Sequence, residues 1–248
     1  HVCLIWKGGR KVMKKPTKAQ VKFIVWSLVM IILMVGVFAV FTATNKKEED
    51  AKTLKQSLRQ QEEALKEKKA TVETQEGKIH ASQAYSKMSS KEKNNLKSIS
   101  FIGDSVMLGS ASALQEALPE AIIDAKESRQ VWDATKIIKS LASKGNLGET
   151  VVIGLGTNSP FSTEIGQNVI HALGKKRKIY WVNVYGPMKW TDKSNATIQA
   201  IANKNNHVEL IDWYTHAKNH KEWFYADGIH LKPQGVKEYV DFILKSLS

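Results

Sequence analysis

The hydrophobic pattern of this chain changes character three times. Residues 23–44 form an unbroken run of 22 residues without a charge, mostly Ile, Val, Leu, Met and Phe. A helix of that length, rising about 1.5 Å per residue, spans a hydrocarbon layer of about 30 Å. The run is too long for the apolar centre of a signal peptide and shows no clear small-residue cleavage site, so it predicts a transmembrane helix. Residues 45–97 are polar, rich in Lys, Glu, Gln, Ala and Ser, with Gly77 the only glycine and no proline, a composition that favours helix. Within them Leu58, Leu65, Val72 and Ile79 recur every seven residues, as one seam of a heptad would. The other seam is polar at Gln61, Lys68 and Gln75, which argues against a stable coiled coil. A charged spacer, helical or disordered, is the expectation for this stretch.

From residue 98 onward the pattern is that of a globular domain. Apolar, largely β-branched runs at 99–102, 121–124, 151–155, 179–184 and 208–211 alternate with helical patterns at 131–143, 165–173, 193–203 and 234–247. That alternation predicts an α/β fold, a parallel sheet covered by helices on both faces in three layers. About 150 residues suffice for one such domain with one core. Trp132, Trp181 and Trp213 read as core residues.

Charge refines this organisation. The formal net charge is +13, yet residues 1–45 hold 7 basic and no acidic residues, residues 46–97 hold 13 against 9, and residues 98–248 only 17 against 15. A nucleic-acid-binding protein concentrates its excess on the folded domain. Here the excess borders the apolar run, which excludes nucleic acid as the partner. The basic flank before residue 23 places that side in the cytoplasm and the C-terminal domain outside the cell. The expected organisation is a cytoplasmic basic segment at 1–22, a membrane span at 23–44, an extracellular spacer at 45–97 and a catalytic domain at 98–248. The apolar stretch from His1 to Trp6 reads as the end of an earlier segment of a longer membrane protein, the alternative being a short apolar leader of a complete one. Cys3 is the single cysteine, so the outer domain holds no internal disulfide.

Candidate chemistry sits at three places in the globular part. Gly103-Asp104-Ser105 follows the first strand-like run and precedes Val106-Met107-Leu108-Gly109, which can begin a helix. A serine at a strand-to-helix turn presents its hydroxyl at the tip of a sheet beside helix N–H groups. Asp227-Gly228-Ile229-His230 offers an acid and an imidazole three residues apart. Hydroxyl, base and an acid to orient the base are the parts a serine nucleophile needs. Gly154-Leu155-Gly156-Thr157-Asn158-Ser159 follows another strand, on the same sheet edge, where the Asn158 amide can donate to an oxyanion beside the backbone N–H of Ser105.

Gly-Asp-Ser, Gly-x-Asn and Asp-x-x-His in this order resemble the SGNH (GDSL-like) hydrolase superfamily, over roughly residues 99–248. The resemblance implies a flavodoxin-like three-layer domain with Ser105 as nucleophile, His230 as general base, Asp227 as its orienting acid and Asn158 as an oxyanion donor. The family places a glycine, whose N–H also faces the oxyanion, in a loop after the second strand. The corresponding stretch here runs Asp124-Ala125-Lys126-Glu127-Ser128-Arg129-Gln130 without a glycine, and Ser128 stands in that place.

A membrane span, a charged spacer and an outer domain of this kind are similar to the C-terminal part of bacterial peptidoglycan O-acetyltransferases. That resemblance implies transfer of acetyl groups through an acyl-serine to the C6 hydroxyl of N-acetylmuramic acid, with the acetyl donor supplied by a membrane acyltransferase module. Two alternatives stay open: a membrane-anchored esterase of wall glycan or lipid, and a catalytically silent glycan-binding domain. Trp190, Trp223 and Tyr225 fall in loops near the active edge, where an aromatic face can stack on a sugar. His216 and His220 are four residues apart, but no acid completes a zinc motif, and no metal or cofactor is expected.

Overall fold

A computed structural model describes residues 4–7, 10–13, 17–73 and 99–247. The later part of the expected spacer, 74–97, with Gln75 and Ile79, lies outside the described residues. The chain forms two compact units that meet in sequence between Glu49 and Asp50.

In the first unit, strands β1 (Leu4–Lys7) and β2 (Arg10–Met13) pair antiparallel, Leu4 opposite Met13. Helix α1 then runs Lys18–Glu73. Its start is a reciprocal cap: Thr17 N–H donates to Gln20 Oε1 at 2.9 Å and Gln20 N–H to Thr17 Oγ1 at 3.3 Å. Large apolar side chains from Phe23 to Phe41 stand exposed all round the helix, and this helix alone among the described residues is long and apolar enough to cross a membrane.

The second unit is built on five parallel strands, β3 (Ile99–Gly103), β4 (Ile122–Ala125), β5 (Thr150–Gly154), β6 (Lys178–Val182) and β7 (Val208–Ile211), in the order β4-β3-β5-β6-β7. Successive side chains of a strand point to opposite faces, and here both faces are covered, so the strands read as continuous apolar runs. In β5, Val152 faces one core and Val151 and Ile153 the other. Helices α2 (Ser105–Gly109), α3 (Ala111–Ala117), α7 (Trp213–Ala217) and α8 (Pro233–Leu247) cover the first face. Helices α4 (Ala134–Ser143), α5 (Thr163–Leu173) and α6 (Thr191–Lys204) cover the second. Part of α1 also belongs to the first face, since Leu58 and Leu65 are buried in its core.

Trp181 and Trp213 are core residues as the sequence implies, but Trp132 is 50% exposed. The helix pattern assigned to 131–143 starts as a single 3₁₀ turn, Val131–Asp133, before α4 begins at Ala134. In that turn Val131 points inward at 1% exposure and takes the core position, leaving the indole outside.

The turn between β3 and α2 positions everything at the carboxyl edge. A Cβ on Gly103 would lie 2.3 Å from Cβ of Met107, and one on Gly154 would lie 2.7 Å from its methyl group. Glycine at 103 lets α2 come down this closely on the end of β3, and glycine at 154 leaves room for the Met107 methyl over the end of β5. Asp104 caps α2, its Oδ1 accepting from Val106 N–H at 3.1 Å, while its own N–H donates to Gly154 carbonyl at 3.0 Å. Its Oδ2 makes no well-formed hydrogen bond, although Thr157 lies near enough to favour the charge. Complete burial dominates and pushes the Asp104 carboxyl up to about 6.

That shift has a sign. Between the ordinary value of 3.8 and about 6, the folded chain holds a proton that the unfolded chain has released. Stability therefore falls as pH rises through that window, by an amount of order 1–3 kcal/mol. Asp104→Asn keeps the acceptor for the helix cap and carries no charge. Thermal unfolding should show the variant gaining stability over wild type at pH 7, with the difference shrinking as pH is lowered to 4.

Candidate active site

Ser105 opens α2 directly beyond the end of β3, 6% exposed. His230 Nε2 lies 2.9 Å from Ser105 Oγ, and His230 Nδ1 lies 2.7 Å from Asp227 Oδ2. Three side chains from two distant segments thus stand in one hydrogen-bonded row. The loop that brings the acid and imidazole is fixed by its own backbone. Phe224 and Leu231 bridge antiparallel, Tyr225 N–H donates to His230 carbonyl at 2.8 Å, and Gly228 turns the chain at φ +70°. Asp227 Oδ1 accepts from Ile229 N–H at 2.8 Å and His230 N–H at 3.0 Å, an Asx turn that leaves Oδ2 for the ring.

The two acids beside this imidazole are tuned in opposite directions. Partial burial works against the charge of Asp227, but hydrogen bonds from the His230 ring and from the N–H groups of Ile229 and His230 outweigh it and hold the carboxyl below its ordinary range. It stays ionised and keeps Nδ1 of His230 as the donor, leaving Nε2 to accept from the serine hydroxyl. For Asp104 complete burial outweighs the hydrogen bond from Val106 N–H and the nearby Thr157, and its carboxyl is raised.

The two remaining oxyanion candidates occupy adjoining loops. Ser128 has φ +57°, the left-handed conformation that glycine adopts without strain. Its backbone therefore takes a shape natural to glycine, the residue that the resemblance leads one to expect in this loop. Asn158 Nδ2 donates to Arg129 carbonyl at 3.0 Å, which engages one of its two N–H groups. Ser159 Oγ donates to Gln130 Oε1 at 2.6 Å, so the loops after β4 and β5 are laced together.

Arg129 escaped the sequence reading. Its guanidinium is buried, donates to Gly103 carbonyl at 3.0 Å, and also bonds both the carbonyl and the carboxylate of Asp124. It ties the Ser128 loop to the end of β3 at Gly103, two residues before Ser105. The available signal was an acid and an arginine five residues apart on either side of a strand end.

The three aromatic candidates separate. Tyr225 is half-buried and lines the same cleft as Ser105 and His230. Trp190 is half-buried and donates its indole N–H to Thr157 carbonyl at 3.0 Å, bracing the loop that carries Asn158. Trp223 is buried, its ring stacked between Trp213 at 5.9 Å and His220 at 3.9 Å. His220 and His216 sit in that aromatic cluster, and no group of three or more metal-ligating side chains occurs among the described residues.

Comparison with known proteins agrees with this geometry. A scan against models of protein families finds no match. The O-acetyltransferase OatA of Staphylococcus aureus (strain NCTC 8325) is 37% identical over 159 residues, 64% of this chain and 26% of that protein. YrhL of Bacillus subtilis (strain 168), provisionally named a peptidoglycan O-acetyltransferase, is 34% identical over 157 residues, 63% of this chain and 25% of that protein. The chain thus spans about a quarter of the length of these relatives. Among solved structures, the C-terminal catalytic domain of Streptococcus pneumoniae peptidoglycan O-acetyltransferase A, with a methylsulfonyl adduct, superposes with a TM-score of 0.56 at 29% identity, over 60% of this chain and 92% of that one. A GDSL-like lipase from Bacteroides thetaiotaomicron shares the fold, with a TM-score of 0.52 at 16% identity over 62% of this chain and 89% of its own. The strand order, the three ordered motifs and these likenesses agree: the globular part of this chain is a parallel α/β domain with the fold of these neighbours, similar in sequence and structure to the catalytic domain of a peptidoglycan O-acetyltransferase.

Proposed function

We propose that this chain is the C-terminal part of a membrane-anchored acyltransferase that moves acetyl groups onto the C6 hydroxyl of N-acetylmuramic acid in peptidoglycan. The observation that carries the reading is the row Ser105–His230–Asp227 at the end of β3. The names of the relatives support an acetyl group as the cargo and peptidoglycan as the acceptor.

In this reading Ser105 Oγ attacks the acetyl carbonyl of the donor while His230 Nε2 takes its proton. The backbone N–H groups of Ser105 and Ser128 and the side chain of Asn158 receive the developing oxyanion. The donor's leaving oxygen departs with the proton from His230, leaving acetyl-Ser105. The sugar hydroxyl then enters, gives its proton to His230 and attacks the acetyl carbonyl. The ester forms on the sugar and Ser105 Oγ regains its proton. Asp227 orients the ring throughout and stays ionised.

The surroundings fit a wall enzyme. Residues 23–44 form the span, 1–22 lie in the cytoplasm by the positive-inside rule, and the SGNH domain at 98–248 lies outside. A membrane module carrying acetyl groups across the bilayer supplies the donor. Trp132, exposed beside the Ser128 loop, offers an aromatic face of the kind that sugars stack on.

The test uses the full chain in detergent, an aryl acetate as donor and an oligosaccharide containing N-acetylmuramic acid as acceptor. Mass spectrometry should find O-acetylated sugar in amounts that rise with acceptor concentration. Free acetate alone at every concentration would make the protein an esterase. Ser105→Ala and His230→Ala should each lower turnover by at least ~10³-fold, and roughly equally, because the two act as one unit. A variant that keeps most of its rate would remove that residue from the mechanism.

Asn158→Ala separates an oxyanion donor from a substrate contact. Loss of one such donor lowers kcat by ~10²–10³-fold with KM little changed. Steady-state kinetics showing a loss mainly in KM would reassign Asn158 to substrate binding.

A further inference from the structure

The part of α1 that lies in the second unit does not behave as a free stalk. Leu54, Leu58, Gln61, Leu65 and Lys68 follow the alternating four-and-three spacing of a heptad seam, and this seam faces the SGNH domain. Leu58 and Leu65 are 5% and 9% exposed. Gln61 Oε1 accepts from Ser112 N–H at 2.8 Å and from Ser112 Oγ at 2.7 Å, which satisfies donors in the first turn of α3. Lys68 Nζ donates to Pro119 carbonyl at 2.7 Å, just past the end of α3. The polar members of the seam, which argue against a coiled coil, are the residues that bond the domain.

This docking builds a cleft of about 350 Å³ with α1 along one side. Ser105 and His230 line it, Ser57 and Gln61 reach it from α1, and Ala113 and Glu116 face it from α3. Its volume lies within the ~300–1,000 Å³ usual for small-molecule sites. An acetyl group has two carbons and needs little of this space. The lining mixes hydroxyl, amide and carboxylate groups with the apolar surfaces of Leu54 and Val106. That mixture suits a sugar, whose hydroxyls seek hydrogen bonds while its C–H faces and acetamido methyl seek apolar contact.

We propose that α1 between Leu54 and Gln61 is one wall of the acceptor site, holding an amino-sugar unit of the glycan in the cleft beside Ser105. The proposal rests on the acetyl-transfer reading above and adds where the acceptor lies and which residues select it. The membrane-proximal helix is then a working part of the site, with Ser57 of α1 and Glu116 of α3 as specificity-determining residues in its lining.

The experiment measures transfer by the full chain in detergent, with the aryl acetate and muramic-acid-containing oligosaccharide used above. Ser57→Trp and Ala113→Trp narrow the cleft from α1 and from α3. Each should raise the acceptor KM about tenfold while kcat at saturating acceptor changes far less, because the reacting groups are untouched. Lys55→Trp, an exposed position of α1 that does not line the cleft, should leave the acceptor KM as in wild type. Acceptor KM unchanged in both cleft variants, with wild-type transfer intact, would overturn the site while the transferase reading stands. A fall in kcat as large as the rise in KM in both variants would also overturn it, marking the helix as a structural support. Wild type that releases acetate but acetylates no sugar would remove the transferase reading and this site with it.

Discussion

The close approach of Met107 to Gly103 and Gly154 is the constraint on which the carboxyl edge depends. Those two glycines end neighbouring strands in register, and the methionine lies across both. With this space filled, α2 starts close on the strand ends, with Ser105 at the cleft and Asp104 in full burial. The cap on Val106, the raised carboxyl of Asp104 and the reach of His230 to the hydroxyl all follow from that geometry.

Around this turn, charge is placed by unequal solvation. Asp227 and Asp104 both act on His230, yet hydrogen bonds prevail at the partly buried one and desolvation at the fully buried one. The first is held ionised beside the imidazole. The second gives up charge readily and serves the backbone instead. Arg129 supplies a third solution, a buried cation that spends its donors on Gly103 and Asp124 and so fixes the loop opposite the serine.

Much of this was legible in the sequence because its signals are local. Five apolar runs became the five strands within a residue or two, since strands buried on both faces carry their burial in every position. Ser105, Asp227 and His230 were legible because a turn motif fixes residues at short spacing. What was hidden depends on partners far away in sequence. Trp132 shares a helical pattern with its neighbours, and only the 3₁₀ turn shows which side chain points inward. Arg129 sits in a loop with no periodicity. The heptad at Leu58 and Leu65 was visible as a pattern, but a pattern does not name the surface it packs on. The left-handed backbone at Ser128 was signalled only through the glycine that the resemblance expects there, since serine itself is an uncommon choice for it.

The hydrogen bond from Ser105 to His230 joins residues 125 positions apart. A ribosome adding ~5–20 residues per second makes the serine roughly 6–25 seconds before the imidazole it bonds. During that interval a nascent chain carries a serine with no imidazole beside it. Only closure of the Tyr225–His230 turn against the sheet brings hydroxyl and ring together. The order of the motifs along the chain therefore sets an order in time: this row of side chains assembles only after all five strands have been made.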